Sequence, residues 1–279
     1  MSWQDLQISR PEALAAPRSQ AHFAAQVVTA LATTHLAHEH DYGETCLFWD
    51  DDFGGFVGRM VGGLRAGLAL PALTWHVLDV SGARLASLPA HGRTLAEGMA
   101  WMQRQAALLG LGESVLTTST DDLPEHPLAA GASFDASDVD GLSAFTAWTA
   151  AAWAALLPFA HKEPHAGPLR CWPHHFDCAT LLNFDPEQDG AEARSVNVGF
   201  AIHLAGIAAP YFYVTAYPLP DAPALSALPA LSHGHWQTEP WFGAILTADE
   251  LPDAGRRQAV DVTLADAIAA GKTLIGASS

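Results

Sequence analysis

Residues 194–217 read RSVNVGFAIHLAGIAAPYFYVTAY, and their alternation decides the fold. Val196, Val198, Phe200, Ile202 and Leu204 take one parity, against Ser195, Asn197, Gly199, Ala201 and His203. Further along, Phe212, Val214 and Ala216 oppose Tyr211, Tyr213, Thr215 and Tyr217. Successive side chains of a strand point to opposite faces. Two strands, Arg194 to Leu204 and Tyr211 to Tyr217, therefore share an apolar face and a face of small, aromatic and hydrogen-bonding residues.

The same parity extends outward. Pro173 to Phe184 reads as a strand with Phe176, Cys178, Leu182 and Phe184 on the apolar side and His175, Asp177 and Asn183 on the other. A fourth strand, Gln237 to Thr247, is approached through His233, His235, Gln237 and Glu239, all of one parity. An Ala-rich helix precedes these strands, with Leu142, Phe145, Trp148, Trp153 and Leu156 on a broad apolar face and Asp138 or Asp140 as its cap. A helix from about Arg256 to Leu274 follows them.

The first half repeats this order. Phe23, Val27, Leu31 and His35 recur every four residues and predict a helix over Arg18 to His38. Strands follow at Glu44 to Asp50, Leu73 to Val80 and Arg84 to Leu88, then a helix from Thr94 to Leu109. Ser114 to Thr118 is strand-like, and the stretch from Asp121 to Ala136, with Pro124 and Pro127, reads as a connector. The expectation is an α+β protein: an antiparallel sheet core with flanking helices, in halves 1–120 and 138–279 joined by a linker at 121–137. The halves have a similar α-β-β-β-β-α order. Ala37, His38, Trp49 and Phe53 match Ala160, His161, Trp172 and Phe176 at one constant offset. An ancient tandem duplication explains this, as does chance identity in so alanine-rich a chain.

Composition narrows the function. Thirteen basic against 30 acidic residues give a formal charge of −17, which opposes binding to nucleic acid or to anionic membrane surfaces. Cys46, Cys171 and Cys178 are too few for a disulfide framework or a four-cysteine zinc site, which favours a reducing, cytoplasmic setting. Residues 1–12 contain Asp5, Arg10 and Glu12 and lack the apolar run of a secretory signal. Leu142 to Ala160 has membrane-spanning length, yet alanines, Ser143, Thr146, Thr149 and Pro158 dilute it, so it reads as a buried helix.

The polar sheet face is the candidate site. A solvated face carries Lys, Glu, Arg and Thr, whereas this one offers His, Asn, Tyr, Gly and Ala, a set suited to a partly covered pocket. A structural polar layer under helices is the competing reading. Within a pocket, His175 is the candidate general base, Asp177 its orienting carboxylate and Glu239 a second acid or base. Trp172, Asn197, Tyr213, Trp236 and Trp241 are candidate ligand-binding residues. His175, Asp177 and His235 are candidate ligands for a divalent transition metal, zinc or iron. Ordinary hydrogen-bonded histidines explain them equally well. The cluster His35, His38, Glu39, His40 reads as the end of a helix whose dipole favours histidine, and Asp50, Asp51 and Asp52 as an acidic turn.

The runs WPHHFD at 172–177, PYFYVTAYPLP at 210–220 and HWQTEPWFGAIL at 235–246 resemble the signature blocks of an uncharacterised bacterial protein family, a domain of unknown function. The resemblance implies a shared architecture and carries no catalytic role. Two function classes follow. One is a protein or enzyme acting on a small molecule, with a metal as the cofactor it would use. The other is a non-catalytic structural or self-association module forming a homo-oligomer.

Overall fold

The computed structural model describes residues 3–6, 11–39, 41–118, 123–188, 193–219, 228–239 and 241–277. Arg10, His40, Asp121, Pro220 and Pro240, which figure in the expectations above, lie outside them. Among the described residues are four α-helices and two antiparallel sheets, of five and six strands, so the protein is α+β. Contacts divide the chain into two compact units. The first comprises Ala13–Ala150 and Arg170–Phe176; the second comprises Met1–Glu12, Ala151–Leu169 and Asp177–Ser279.

In the first unit, α1 (Ala15–His35) is followed by β1 (Phe48–Asp50), β2 (Gly55–Val57), β3 (Leu64–Ala69), β4 (Thr74–Asp79) and β5 (Arg84–Pro89), which pair in sequence order as an antiparallel meander. Then comes α2 (Leu95–Leu108), which starts at a capping box: the Thr94 hydroxyl accepts the Glu97 N–H while Glu97 accepts the Thr94 N–H. Alanine makes α1 narrow enough to bury its whole middle, from Ala21 to Ala32. Trp75 on β4 is fully buried, donates its indole N–H to the Ala24 carbonyl at 2.9 Å and meets Phe134 edge-on. Residues 123–137 form no helix or strand, yet the backbone bridges His91–Phe134 and Thr94–Ser133 fasten part of them to this unit. Strand β6 (Arg170–Trp172) bonds through Cys171 to Leu47, beside β1.

In the second unit, β7 (Asp177–Asn183), β8 (Ser195–Leu204), β9 (Ile207–Tyr217), β10 (His235–Gln237) and β11 (Gly243–Thr247) stand in the spatial order β10-β11-β9-β8-β7. The expected faces are there in the register: Val198 opposes Val214 and Phe200 opposes Phe212, while Asn197 opposes Thr215 and Gly199 opposes Tyr213. Helix α4 (Arg256–Leu274) packs on β8, β9 and β11 from the apolar side, with Gly271 against Val196 and Ala216. Trp3 stacks on Phe212 on that same side. Each fully buried Val or Phe there contributes about 1.5–3 kcal/mol.

Two strand expectations are corrected. Pro173 to Phe184 is not one strand: β6 ends at Trp172, residues 173–176 turn, and β7 begins at Asp177. The alternation therefore does not reach His175. Gln237 to Thr247 is likewise divided into β10 and β11, which form a hairpin with β10 outermost. The helix, antiparallel strands, helix order does recur. The first sheet is a plain meander, whereas the second inserts β11 between β9 and β10. Trp49 is the buried centre of β1, while its sequence counterpart Trp172 is the half-buried end of β6.

Helix α3 (Val139–Lys162) has Asp138 accepting the Gly141 N–H at its start, and the unit division falls inside it, between Ala150 and Ala151. By length and composition it could cross a membrane. Leu142, Phe145, Trp148, Ala152, Ala155 and Leu156 are nevertheless buried within the protein, as in the core helix of a globular fold.

Candidate functional site

The WPHHF turn is built from the inside by α1. Arg18, His22 and Gln26 are spaced four apart and form a buried polar stripe on an otherwise apolar helix. Arg18 donates to the His175 carbonyl at 2.7 Å, while His22 Nε2 and Gln26 Nε2 donate to the Pro173 carbonyl at 2.8 and 2.9 Å. The carbonyl requires a proton on His22 Nε2, leaving Nδ1 as an acceptor facing the Arg18 guanidinium at 3.5 Å. Burial, reinforced by the Arg18 charge, lowers the His22 pKa to about 3. Phe176, with a left-handed φ of 55°, stacks on His22 and on Phe145 and meets Phe56 edge-on.

The turn thus spends its backbone on architecture. His175 is exposed, with its ring 4.3 Å from that of His174. Trp172 lies under the Arg170 guanidinium, 5.6 Å from ring centre to cation. His175 lies in the turn, outside the strand in which alternation placed it, and Trp172 ends β6.

Asp177, on β7, is where the polar sheet face begins. Tyr213 on β9 donates its phenol proton to the Asp177 carboxylate, and both side chains are buried. Burial, and then the negative charge of Asp177, raises the Tyr213 pKa well above its ordinary value, so the phenol keeps its proton. The tyrosine reaches β7 because β8 carries Gly199 between them: a Cβ on Gly199 would stand 2.7 Å from Tyr213 Cε1.

One residue along, Thr215 on β9 faces Asn197 on β8. Trp241 precedes β11 and meets Tyr213 edge-on at 6.4 Å. Its Cζ3 would lie 2.5 Å from a Cβ on Gly243, and the Thr215 methyl 3.2 Å from the same point, so the two side chains converge over Gly243. Thr215 Oγ1 and Trp241 Nε1 are both buried and have no hydrogen-bond partner among the described residues. Asp177, Asn197, Tyr213, Thr215 and Trp241 are therefore brought to one sheet face.

The remaining candidates are placed elsewhere. His235 is exposed on β10 and bonds Glu250 at 2.7 Å. Trp236 points to the opposite face, where it stacks on Phe242 and donates to the Pro229 carbonyl at 2.8 Å. Glu239 is exposed in a bend after β10. Strand β10 is separated from β7 by three intervening strands, about 19 Å at the usual strand spacing. Neither Glu239 nor His235 therefore joins Asp177. Among the described residues no group of three or more His, Cys, Asp or Glu side chains is placed to hold a metal ion, so His175, Asp177 and His235 do not assemble as a metal site.

The histidine-rich segment after α1 is a polar tie. The helix ends at His35, so His38 is not on it. His38 pairs with buried Glu44 at 2.8 Å, and Glu44 also accepts the Glu39 N–H. Asp50 accepts the Phe53 N–H and Asp51 the Trp49 indole, as expected of an acidic turn.

Sequence reasoning passed over Arg18, His22, Gln26 and Thr215. The four-residue spacing of the first three was a visible signal, because a polar stripe on an alanine helix that must be buried needs partners. Thr215 had the correct parity and lacked any feature to distinguish it from a wet strand position. The chain matches no protein-family model, no curated protein and no solved structure.

Proposed function

We propose that the protein binds a small polar molecule on the sheet face bearing Asp177, Asn197, Tyr213, Thr215 and Trp241. One observation carries this reading: Thr215 Oγ1 and Trp241 Nε1, on two side chains that meet over Gly243, are each buried with no hydrogen-bond partner among the described residues. A buried polar atom without a partner costs about 1–3 kcal/mol, and folded proteins keep few of them. Two at one place, beside a fixed Tyr213–Asp177 pair and an indole ring, have the composition of a ligand site. The reading concerns binding and assigns no reaction. A cytoplasmic setting accompanies it, supported by three buried cysteines that form no disulfide.

The test is a thermal-shift screen of small polar compounds on wild-type protein and on Thr215→Val, which keeps the shape and removes the hydroxyl. A ligand at a hundredfold excess over its Kd stabilises by about 2.7 kcal/mol. Compounds that raise the wild-type melting temperature and fail to raise that of the variant support the site. A screen without such compounds, joined to a variant more stable than wild type, identifies a structural polar layer instead.

A further inference from the structure

Within the first unit, one face of the sheet gathers cations without acids. Trp75 on β4 points to the helices, bonding the Ala24 carbonyl of α1 and packing on Gly98 of α2, so the alternate residues His76 and Leu78 face the other way. Leu78 opposes Arg65 on β3 and Arg84 on β5, which puts an arginine on each side of it and both beside His76. Phe53 ties the group together. Its Cζ stands 2.8 Å, and Leu78 Cδ1 3.4 Å, from where a Cβ on Gly67 would be, and Gly67 opposes His76. The Phe53 ring meets His76 edge-on at 5.4 Å, and the Arg84 guanidinium carbon lies 5.4 Å from the centre of that ring.

Arg59 and Arg170 of this unit pair with Glu39 and Asp41. Arg65 and Arg84 have no carboxylate or carbonyl partner among the described residues, in a chain with 30 acidic residues. Arg65 Nε and His76 Nδ1 are shielded from solvent without a partner, and His76 is only 5% exposed. Two like charges flanking one leucine repel, and a buried N–H without an acceptor is destabilising, so a single counter-charge relieves both.

We infer that this face binds an oxyanion, the carboxylate or phosphate group of a small molecule, between the Arg65 and Arg84 guanidinium groups over Leu78. A guanidinium offers only donors, in a fork that matches the oxygens of either group. Burial, and then the Arg84 charge, lowers the His76 pKa, so its imidazole is neutral and can carry its proton on Nδ1 as a further donor. The inference concerns the first unit and is independent of the binding reading above, so each can fail without the other.

Inorganic phosphate and acetate are the probes, each titrated into protein carrying 15N-labelled arginine, with ionic strength held constant by chloride. The Arg65 Nε–H resonance, assigned with Arg65→Lys, is the reporter. At least one of the two anions is expected to move it saturably. Arg84→Gln, a change at an exposed residue, should weaken that binding about tenfold. Arg104→Gln, which removes the same charge from an exposed position on α2, should leave it unchanged. Tighter binding of phosphate supports the site with a phosphoryl ligand, and tighter binding of acetate supports it with a carboxylate. A response no larger than that to chloride overturns the site, as does binding that survives Arg84→Gln or falls equally in Arg104→Gln.

Discussion

Tyr213 hydrogen-bonds Asp177 from two strands away, laying its ring across Gly199 of the strand between them. The relationship joins three residues that no local motif connects. A buried carboxylate needs donors, and a tyrosine two strands away supplies one only if the intervening position has no side chain.

Gly199→Ala tests that geometry. The added methyl collides with the Tyr213 ring, so either the ring leaves Asp177 or the sheet shifts, at about 1–3 kcal/mol in urea unfolding. Tyr213→Phe removes the donor and should cost a similar amount. Because both variants break the same contact, the double variant is expected to be clearly less destabilised than the sum of the two. Strict additivity would show that Gly199 acts elsewhere.

The second sheet was legible because period-two alternation survives wherever one face must be buried. Hence Asn197, Tyr213 and the Val196 and Val198 face fell where parity put them. The site was half legible. Asp177, Asn197, Tyr213 and Trp241 converge, whereas His175 and Glu239 were assigned by extending parity through a turn and a bend, where it does not apply. No sequence pattern marks Phe176 as left-handed, because a bulky residue enters that region only when surrounding packing holds it. Strand order was equally hidden: parity gives faces, and only long-range pairing puts β10 at the far edge.

Phe176 sets two effects against each other. Phe176→Gly would relieve a left-handed backbone, worth about 1–2 kcal/mol. It would also remove a buried ring stacked on His22 and Phe145, worth about 3–5 kcal/mol. The net expectation is a loss of about 1–4 kcal/mol by the same two estimates. Chemical denaturation decides between them, and a variant as stable as wild type would mean that the ring contributes little.

His22 gives the first unit a defined pH dependence. Its folded pKa is depressed to about 3, against 6.5 for the free side chain. Between those values the unfolded chain binds a proton that the folded protein refuses, so stability is complete above pH 6.5 and falls as the pH drops toward 3. The slope from this one group is at most about 1.4 kcal/mol per pH unit. Glu44 is pushed up by burial and down more strongly by His38 and backbone N–H groups, so its contribution is also lost with acid. Replacing His22 by Gln, which can still donate to the Pro173 carbonyl, should flatten the stability profile between pH 6 and 4. An unchanged profile in that variant would assign the acid sensitivity to other groups.

The thiols report on the two units separately. Burial raises the Cys46 pKa to about 12, and Cys46, Cys171 and Cys178 are all buried, so none exposes its sulfur to solvent in the native fold. Labelling by a thiol reagent must then proceed through opening of the structure. Cys171 exchanges two backbone hydrogen bonds with Leu47, the neighbour of Cys46, at 2.8 and 3.0 Å, and both cysteines belong to the first unit. Cys178 is on β7 of the second. Pulsed alkylation read by peptide mass spectrometry across a urea gradient should show Cys46 and Cys171 becoming reactive together. Cys178 should follow the opening of its own sheet, so Tyr213→Phe is expected to shift its midpoint to lower urea by more than theirs. Equal shifts at all three cysteines would mean that the chain opens as one cooperative body, with the Asp177 contact stabilising both units alike.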